Sequence, residues 1–147
     1  MEPKPPDVIV LGAVWPGRAL LRAQLIDEGH EVVAIDTWPI PRLYRQPGMK
    51  PRVLLIDLHE LPKPRETLNE VRVVFPPDRV LVVTALGSLA VDELRALGFN
   101  VVARPASIGQ IVATIGELLS RAAADQSRLA PGGEIHARRR SRGRAVR

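Results

Sequence analysis

The sequence predicts an α/β fold in which a five-stranded parallel sheet is layered between helices, and three observations predict it. Five short apolar runs, residues 8–14, 31–35, 53–56, 80–83 and 101–103, are continuous and rich in Val and Ile rather than alternating, as strands covered on both faces should be. The stretches between most of these runs carry apolar residues at helical spacing, and alternation of strand with helix implies right-handed crossovers and a parallel sheet. Three successive runs also end on polar residues: Asp57, then Thr84-Ala85, then Arg104-Pro105. In a parallel sheet those residues meet at one edge.

Each connection can be justified in order. Residues 17–28 carry Leu20, Leu21, Leu25 and Ile26 and stop at Gly29, a natural helix end. Residues 37–51 hold Pro39, Pro41, Pro47, Gly48 and Pro51, a proline density that opposes a regular helix. The second crossover helix is therefore expected to be short or replaced by a loop, with at most a turn around residues 42–46. Residues 64–75 open on Pro64, align Leu68, Val71, Val74 and Phe75, and end at Pro76-Pro77. Residues 88–97 carry Leu89, Leu94 and Leu97 between a Ser88 cap and Gly98. The pattern in residues 107–123 is the clearest, with Ser107 as cap and Ile108, Ile111, Val112, Ile115, Leu118 and Leu119 at the 3.6-residue period. The predicted organisation is an N-terminal extension 1–6, a domain 7–123 and an Arg-rich, disordered tail 124–147.

Composition narrows the function. A chain of 147 residues accommodates one domain with a real core. Only two Trp, one Tyr and two Phe are present, so Leu, Val, Ile and Ala must build that core. Residues 1–124 hold fourteen Lys/Arg against fourteen Asp/Glu, and residues 125–147 hold seven Arg against Asp125 and Glu134, so the net charge of +5 belongs to the tail. The absence of cysteine excludes disulfides, thiol nucleophiles and thiolate metal sites. No signal peptide is evident and no apolar run approaches the roughly 20 residues of a spanning helix, so a cytoplasmic protein without a membrane role is expected.

The order and spacing of these elements resemble a response-regulator receiver domain, over about residues 7–122. Glu28-Gly29-His30-Glu31-Val32 is similar to the family's usual ending of its first helix, and Arg18 with Leu20-Leu21 fits that helix. The resemblance implies a flavodoxin-like, receiver-like three-layer sandwich of strand order 2-1-3-4-5. It also implies that Asp57 stands at the phospho-acceptor position, Thr84-Ala85 at the hydroxyl position and Arg104-Pro105 at the Lys-Pro position. Three departures matter. Gly12-Ala13 replace the acidic metal-binding pair, Arg104 replaces the lysine, and Val101 replaces the switch aromatic. Phosphoryl transfer to a carboxylate needs its charge neutralised, mainly by Mg²⁺, which wants carboxylate oxygens. Asp57 would be nearly alone as a charged ligand, so only weak Mg²⁺ binding is expected, no metal site and no other cofactor. Arg104 is expected to form a standing ion pair with Asp57.

The expected function is that of an atypical receiver in phosphorelay-type signal transduction: a protein-interaction module, not an enzyme, with weak or no phosphorylation at Asp57. Its partner would be a histidine kinase or a downstream effector, and homodimerisation through residues 88–123 is a further expectation. The alternative is a nucleotide-binding Rossmann-like domain using the turn at Gly12 to Gly17 and Asp36, although Val14, Trp15 and Pro16 spoil the glycine spacing. His30, His59 and His136 are scattered, and Asp57-x-His59 is a weak metal signal. Trp38 and Tyr44 either display a partner surface or cover space left by the missing helix. Arg138, Arg139, Arg140, Arg142 and Arg144 supply an anion-binding tail for nucleic acid or an acidic partner, or a merely solubilising one.

Overall fold

The computed structural model describes residues 4–129. Five parallel strands, β1 (Val8–Gly12), β2 (Val32–Ile35), β3 (Val53–Asp57), β4 (Val80–Val83) and β5 (Asn100–Val102), form one sheet in the order β2-β1-β3-β4-β5. The helices are α1 (Trp15–Asp27), α2 (Pro64–Val74), α3 (Val91–Ala96) and α4 (Ile108–Leu129). This is the flavodoxin-like sandwich that the alternation of apolar runs and helical patterns predicts.

Alternation of side chains along the central strands divides the core in two. Ile9, Leu11, Leu54, Ile56, Val80 and Val82 meet Leu68 and Val71 of α2 and Leu94 of α3 on one face. Val8, Val10, Val53, Leu55, Leu81 and Val83 meet Leu21 and Leu25 of α1 and Ile111, Ile115 and Leu118 of α4 on the other. β1, β3 and β4 are buried at every position, which is why they read as unbroken apolar runs rather than as alternating ones.

Between β2 and β3 no α-helix forms, and only a single 3-10 turn, Arg42–Arg45, interrupts the loop. The proline-rich segment still supplies core. Ile40 is 1% exposed, and Trp38 and Tyr44 pack against the same cluster. The Trp38 indole Nε1 donates to Glu70 Oε2 of α2 at 2.6 Å, tying the loop to the neighbouring helix. Both rings are half-buried cover over the sheet at the place a second helix would occupy.

Several boundaries differ from the sequence reading. β1 stops at Gly12, and α1 starts at Trp15 with Pro16 in its first turn, where a missing N–H costs no hydrogen bond. β5 spans Asn100–Val102, so Ala103 falls outside it. Ser88 does not cap α3. Its hydroxyl accepts from the Ala85 N–H at 3.0 Å and donates to the Ala85 carbonyl at 2.7 Å, closing a turn, and α3 begins after Ala90 without a side-chain cap. α4 continues past residue 123 to Leu129, because Asp125 gives its last turns an anchor: Arg79 Nη2 reaches Asp125 Oδ2 at 2.7 Å and Arg128 pairs with the other oxygen. The predicted boundary at residue 123 therefore falls inside a helix. The remaining tail, with Arg138, Arg139, Arg140, Arg142 and Arg144, lies outside the described residues.

Candidate functional site at the carboxyl edge of the sheet

Asp57 is the last residue of β3 and sits in register with Gly12 of β1 and Val83 of β4. Thr84 follows β4 directly, and Arg104 lies just past β5. Parallel strands thus deliver the three polar residues to one edge, where open α/β sheets place their sites. Their side chains interlock. Arg104 grips Asp57 with both guanidinium nitrogens: Nη1 donates to Oδ1, and Nη2 donates to Oδ2 at 2.8 Å. A planar fork facing a carboxylate in this way is among the stronger polar contacts a protein makes.

Backbone geometry holds the pair. The His59 N–H donates to Asp57 Oδ1 at 3.0 Å, closing an Asx turn that aims the carboxylate. The Arg104 N–H donates to Thr84 Oγ1 at 3.2 Å, and Arg104 Nη1 also donates to the Thr84 carbonyl at 3.2 Å. The Thr84 N–H in turn donates to the Val102 carbonyl. The Asp57 side chain is 7% exposed and that of Arg104 30%, so the pair is screened from solvent on one side and reachable on the other. The hydrogen bond to Asp57, opposed by partial burial and assisted by the carboxylate's charge, raises the Arg104 pKa above the ordinary arginine value. Arg104 is a permanent cation.

The two small residues after β1 are filled by a second cation. Arg18 Nη1 donates to the Gly12 carbonyl at 2.5 Å. A Cβ on Gly12 would stand 3.6 Å from Arg18 Cβ and 3.7 Å from Asp57 Cβ, so Gly12 is flanked by both side chains. Ala13 is partly buried against the core and contributes no polar group. The sequence reading assigned Arg18 only to the body of α1. The signal for more was a cation one turn into a helix that follows a strand end lacking carboxylates.

Ala85 and Pro105 make no hydrogen bond to Asp57, whose partners among the described residues are His59 and Arg104. With His59, Leu86 and Arg104 they line an open cleft of about 600 Å³ beside it, and Leu86 is fully exposed there. Val101 lies in β5, half-buried against the core. The segment from Gly12 to Gly17 runs from the end of β1 into the first turn of α1, where Pro16 offers no N–H. Asp36 is exposed and borders a separate hollow with Arg18 and Thr37.

No family model matches the chain, and no curated protein matches it. Solved structures do. The signal receiver domain of a protein from Vibrio parahaemolyticus described as a Luxo repressor superposes with a TM-score of 0.67 at 20% identity, covering 86% of this chain and 98% of that one. A response regulator receiver domain protein from Clostridium thermocellum gives 0.63 at 18% identity, covering 78% and 94%. A CheY-like receiver domain protein from Methanospirillum hungatei gives 0.64 at 16% identity, covering 80% and 96%. The chain has the receiver fold.

The receiver fold raises the question of Mg²⁺, and the donors present do not fit it. A hard divalent cation wants several oxygen ligands, carboxylates above all. Here Asp57 is bracketed by Arg104 on both oxygens, and the Gly12 carbonyl is occupied by Arg18. Among the described residues no group of three or more His, Cys, Asp or Glu side chains could hold a metal. Two guanidinium groups, those of Arg104 and Arg18, take the Asp57 carboxylate and the Gly12 carbonyl at this edge.

Proposed function

We propose that this chain is an atypical receiver: a signalling module that works by binding protein partners, with phosphorylation of Asp57 weak or absent. The observation that carries the reading is the two-pronged grip of Arg104 on Asp57. A carboxylate that is to attack phosphorus must present an oxygen to it, and the charge on the transferring phosphoryl group must be neutralised by cations placed beside its oxygens. Asp57 has neither oxygen free, and its counter-charge is already seated.

In this reading the ion pair stands where modification would otherwise act and holds the loops after β4 and β5 in one arrangement. Thr84 serves that arrangement through its hydroxyl and its carbonyl rather than through an oxyanion. Signal then passes through the folded surface, to a histidine kinase or a downstream effector, in the cytoplasm, with pairing of two copies through residues 88–123 as one route. The module itself catalyses nothing. One of the similar structures is the signal receiver domain of a diguanylate cyclase, which illustrates a receiver fold joined to an output it does not itself perform.

The test is intact mass after incubation with a small-molecule phosphodonor and Mg²⁺, with Asp57→Asn as control. The expected result is no adduct on the unaltered chain. An added phosphate that disappears in Asp57→Asn would overturn the reading and show a working phospho-acceptor.

A further inference from the structure

The opposite edge of the sheet, where β3 and β4 begin, gathers cations that the site at Asp57 does not use. Lys50 and Arg52 come from the chain entering β3, and Arg79 ends the short turn Pro77–Arg79 that enters β4. All three line one hollow of about 250 Å³, which α4 closes with Ala122 and Gln126.

The donors in this hollow outnumber their acceptors. Arg79 Nη2 is paired with Asp125, but its Nη1 is buried and has no hydrogen-bond partner among the described residues. A buried charged N–H without an acceptor is costly and rare in folded proteins, so the site calls for an acceptor. Asp125 cannot supply it alone, because Arg128 shares that carboxylate. Lys50 spends one of its three N–H groups on the Val74 carbonyl at 3.1 Å, and its ammonium stands 5.9 Å from the centre of the Phe75 ring. The Arg52 Nε stands 3.9 Å from Asp7 Oδ1, an ion pair longer than a hydrogen bond, and the Arg52 side chain is 45% exposed. The apolar walls from Phe75 and neighbouring prolines strengthen any charge interaction made between them.

We propose that this hollow binds a phosphate group, either as inorganic phosphate or as a small phosphomonoester. A tetrahedral oxyanion carries several acceptor oxygens pointing in different directions, and three cations arriving from two loops match that better than they match one planar carboxylate. The site is independent of Asp57, at the other end of β3. Its occupation would join the entry loops of β3 and β4 to the last turns of α4.

The test is a thermal-unfolding titration of the full chain with inorganic phosphate at low millimolar concentration, with chloride holding ionic strength constant. The expected result is a saturable rise of a few degrees with a Kd on the order of 1 mM. Lys50→Ala should weaken it roughly tenfold, the sensitivity expected of a direct charged contact. Arg79→Gln should abolish it, but that variant also loses the Asp125 pair. The exposed Lys50 position therefore keeps the test sound if Arg79→Gln fails to fold. A phosphomonoester shifting the curve at lower concentration than inorganic phosphate would identify the ester as the ligand. Absence of a shift, or a non-saturating shift equal in Lys50→Ala, would overturn the proposal, since the latter is the general effect of an excluded salt.

Discussion

Arg104 and Asp57 form the most consequential residue pair in the molecule, and their partial burial sets the size of the effects expected. Removing one member of a fully buried pair costs roughly 3–5 kcal/mol, because the other charge is stranded. Arg104 is partly exposed, so Arg104→Gln should cost less, about 2 kcal/mol by denaturant unfolding. Adding Asp57→Asn to Arg104→Gln should recover part of that loss, because no charge is then left unpaired. A double-mutant cycle showing simple additivity would mean that the two residues are not coupled. The raised pKa of Arg104 has a defined consequence. A cation whose folded pKa is raised stabilises fully below its unfolded value and loses that contribution only as pH rises through the folded value, so this residue imposes no pH dependence near neutrality. Gly12 tests the metal argument. A Cβ there meets its neighbours at ordinary contact distance, so the first atom of a Gly12→Asp side chain fits. Together with Ala13→Asp it should make the melting temperature rise with millimolar-scale Mg²⁺, an effect absent from the unaltered chain.

At the scale of elements, the helices differ in what ends them and what joins them. α4 opens with a reciprocal capping box: the Gln110 N–H donates to Ser107 Oγ at 3.0 Å, and the Ser107 N–H donates to Gln110 Oε1 at 2.8 Å. Ser107→Ala should cost about 1 kcal/mol in unfolding free energy, the usual worth of a hydroxyl cap. α3, with no side-chain cap, has no equivalent to lose. α2 and α3 are linked by an exposed ion pair, Arg65 with Glu93, whose hydrogen bond is the main cause lowering the Glu93 pKa. A lowered carboxyl pKa contributes stability above the unfolded glutamate value, near 4.5, and loses it as pH falls through the folded value. Glu93→Gln should therefore slightly lower stability at neutral pH and make unfolding slightly less sensitive to pH on the acid side. A larger effect at pH 7 than at pH 3 in the difference between the two proteins is the outcome to look for. Ser107 was visible in the sequence as a cap because it stands just before a run of apolar residues at helical spacing; the reciprocal bond from Gln110 came from the structure. Ser88 looked similar, but no long-range rule says which of two nearby turns a serine will close, and it closed the one at Ala85.

At the scale of the molecule, the absent second crossover helix is the main departure from a regularly wound sandwich. Proline density in residues 37–51 announced that absence, since each proline removes a donor and fixes its own backbone. A turn around residues 42–46, with Trp38 and Tyr44 as candidate cover, could be read from the chain; the hydrogen bond that fixes the loop to α2 could not. Trp38 is held over the core by Glu70, so Trp38→Phe, which keeps the ring cover and removes the donor, should cost about 1 kcal/mol, as one net hydrogen bond does. Trp38→Ala should cost more, because it uncovers the cluster around Ile40. If both variants melt like the unaltered chain, the indole is not structural cover.

Order and type of elements were determined by the sequence alone. Five apolar runs separated by helical patterns leave few topologies once crossovers must be right-handed, and burial on both faces writes itself into each run as unbroken Val, Ile and Leu. The meeting of Asp57, Thr84 and Arg104 was legible for the same reason, because strand ends in a parallel sheet share an edge. Only the tertiary structure decided that Arg104 takes both oxygens of Asp57, that Arg18 occupies the Gly12 carbonyl, and that Trp38 reaches Glu70. Those contacts depend on the reach and rotamers of long side chains set by the packing of separate elements, for which residue type and spacing carry no code.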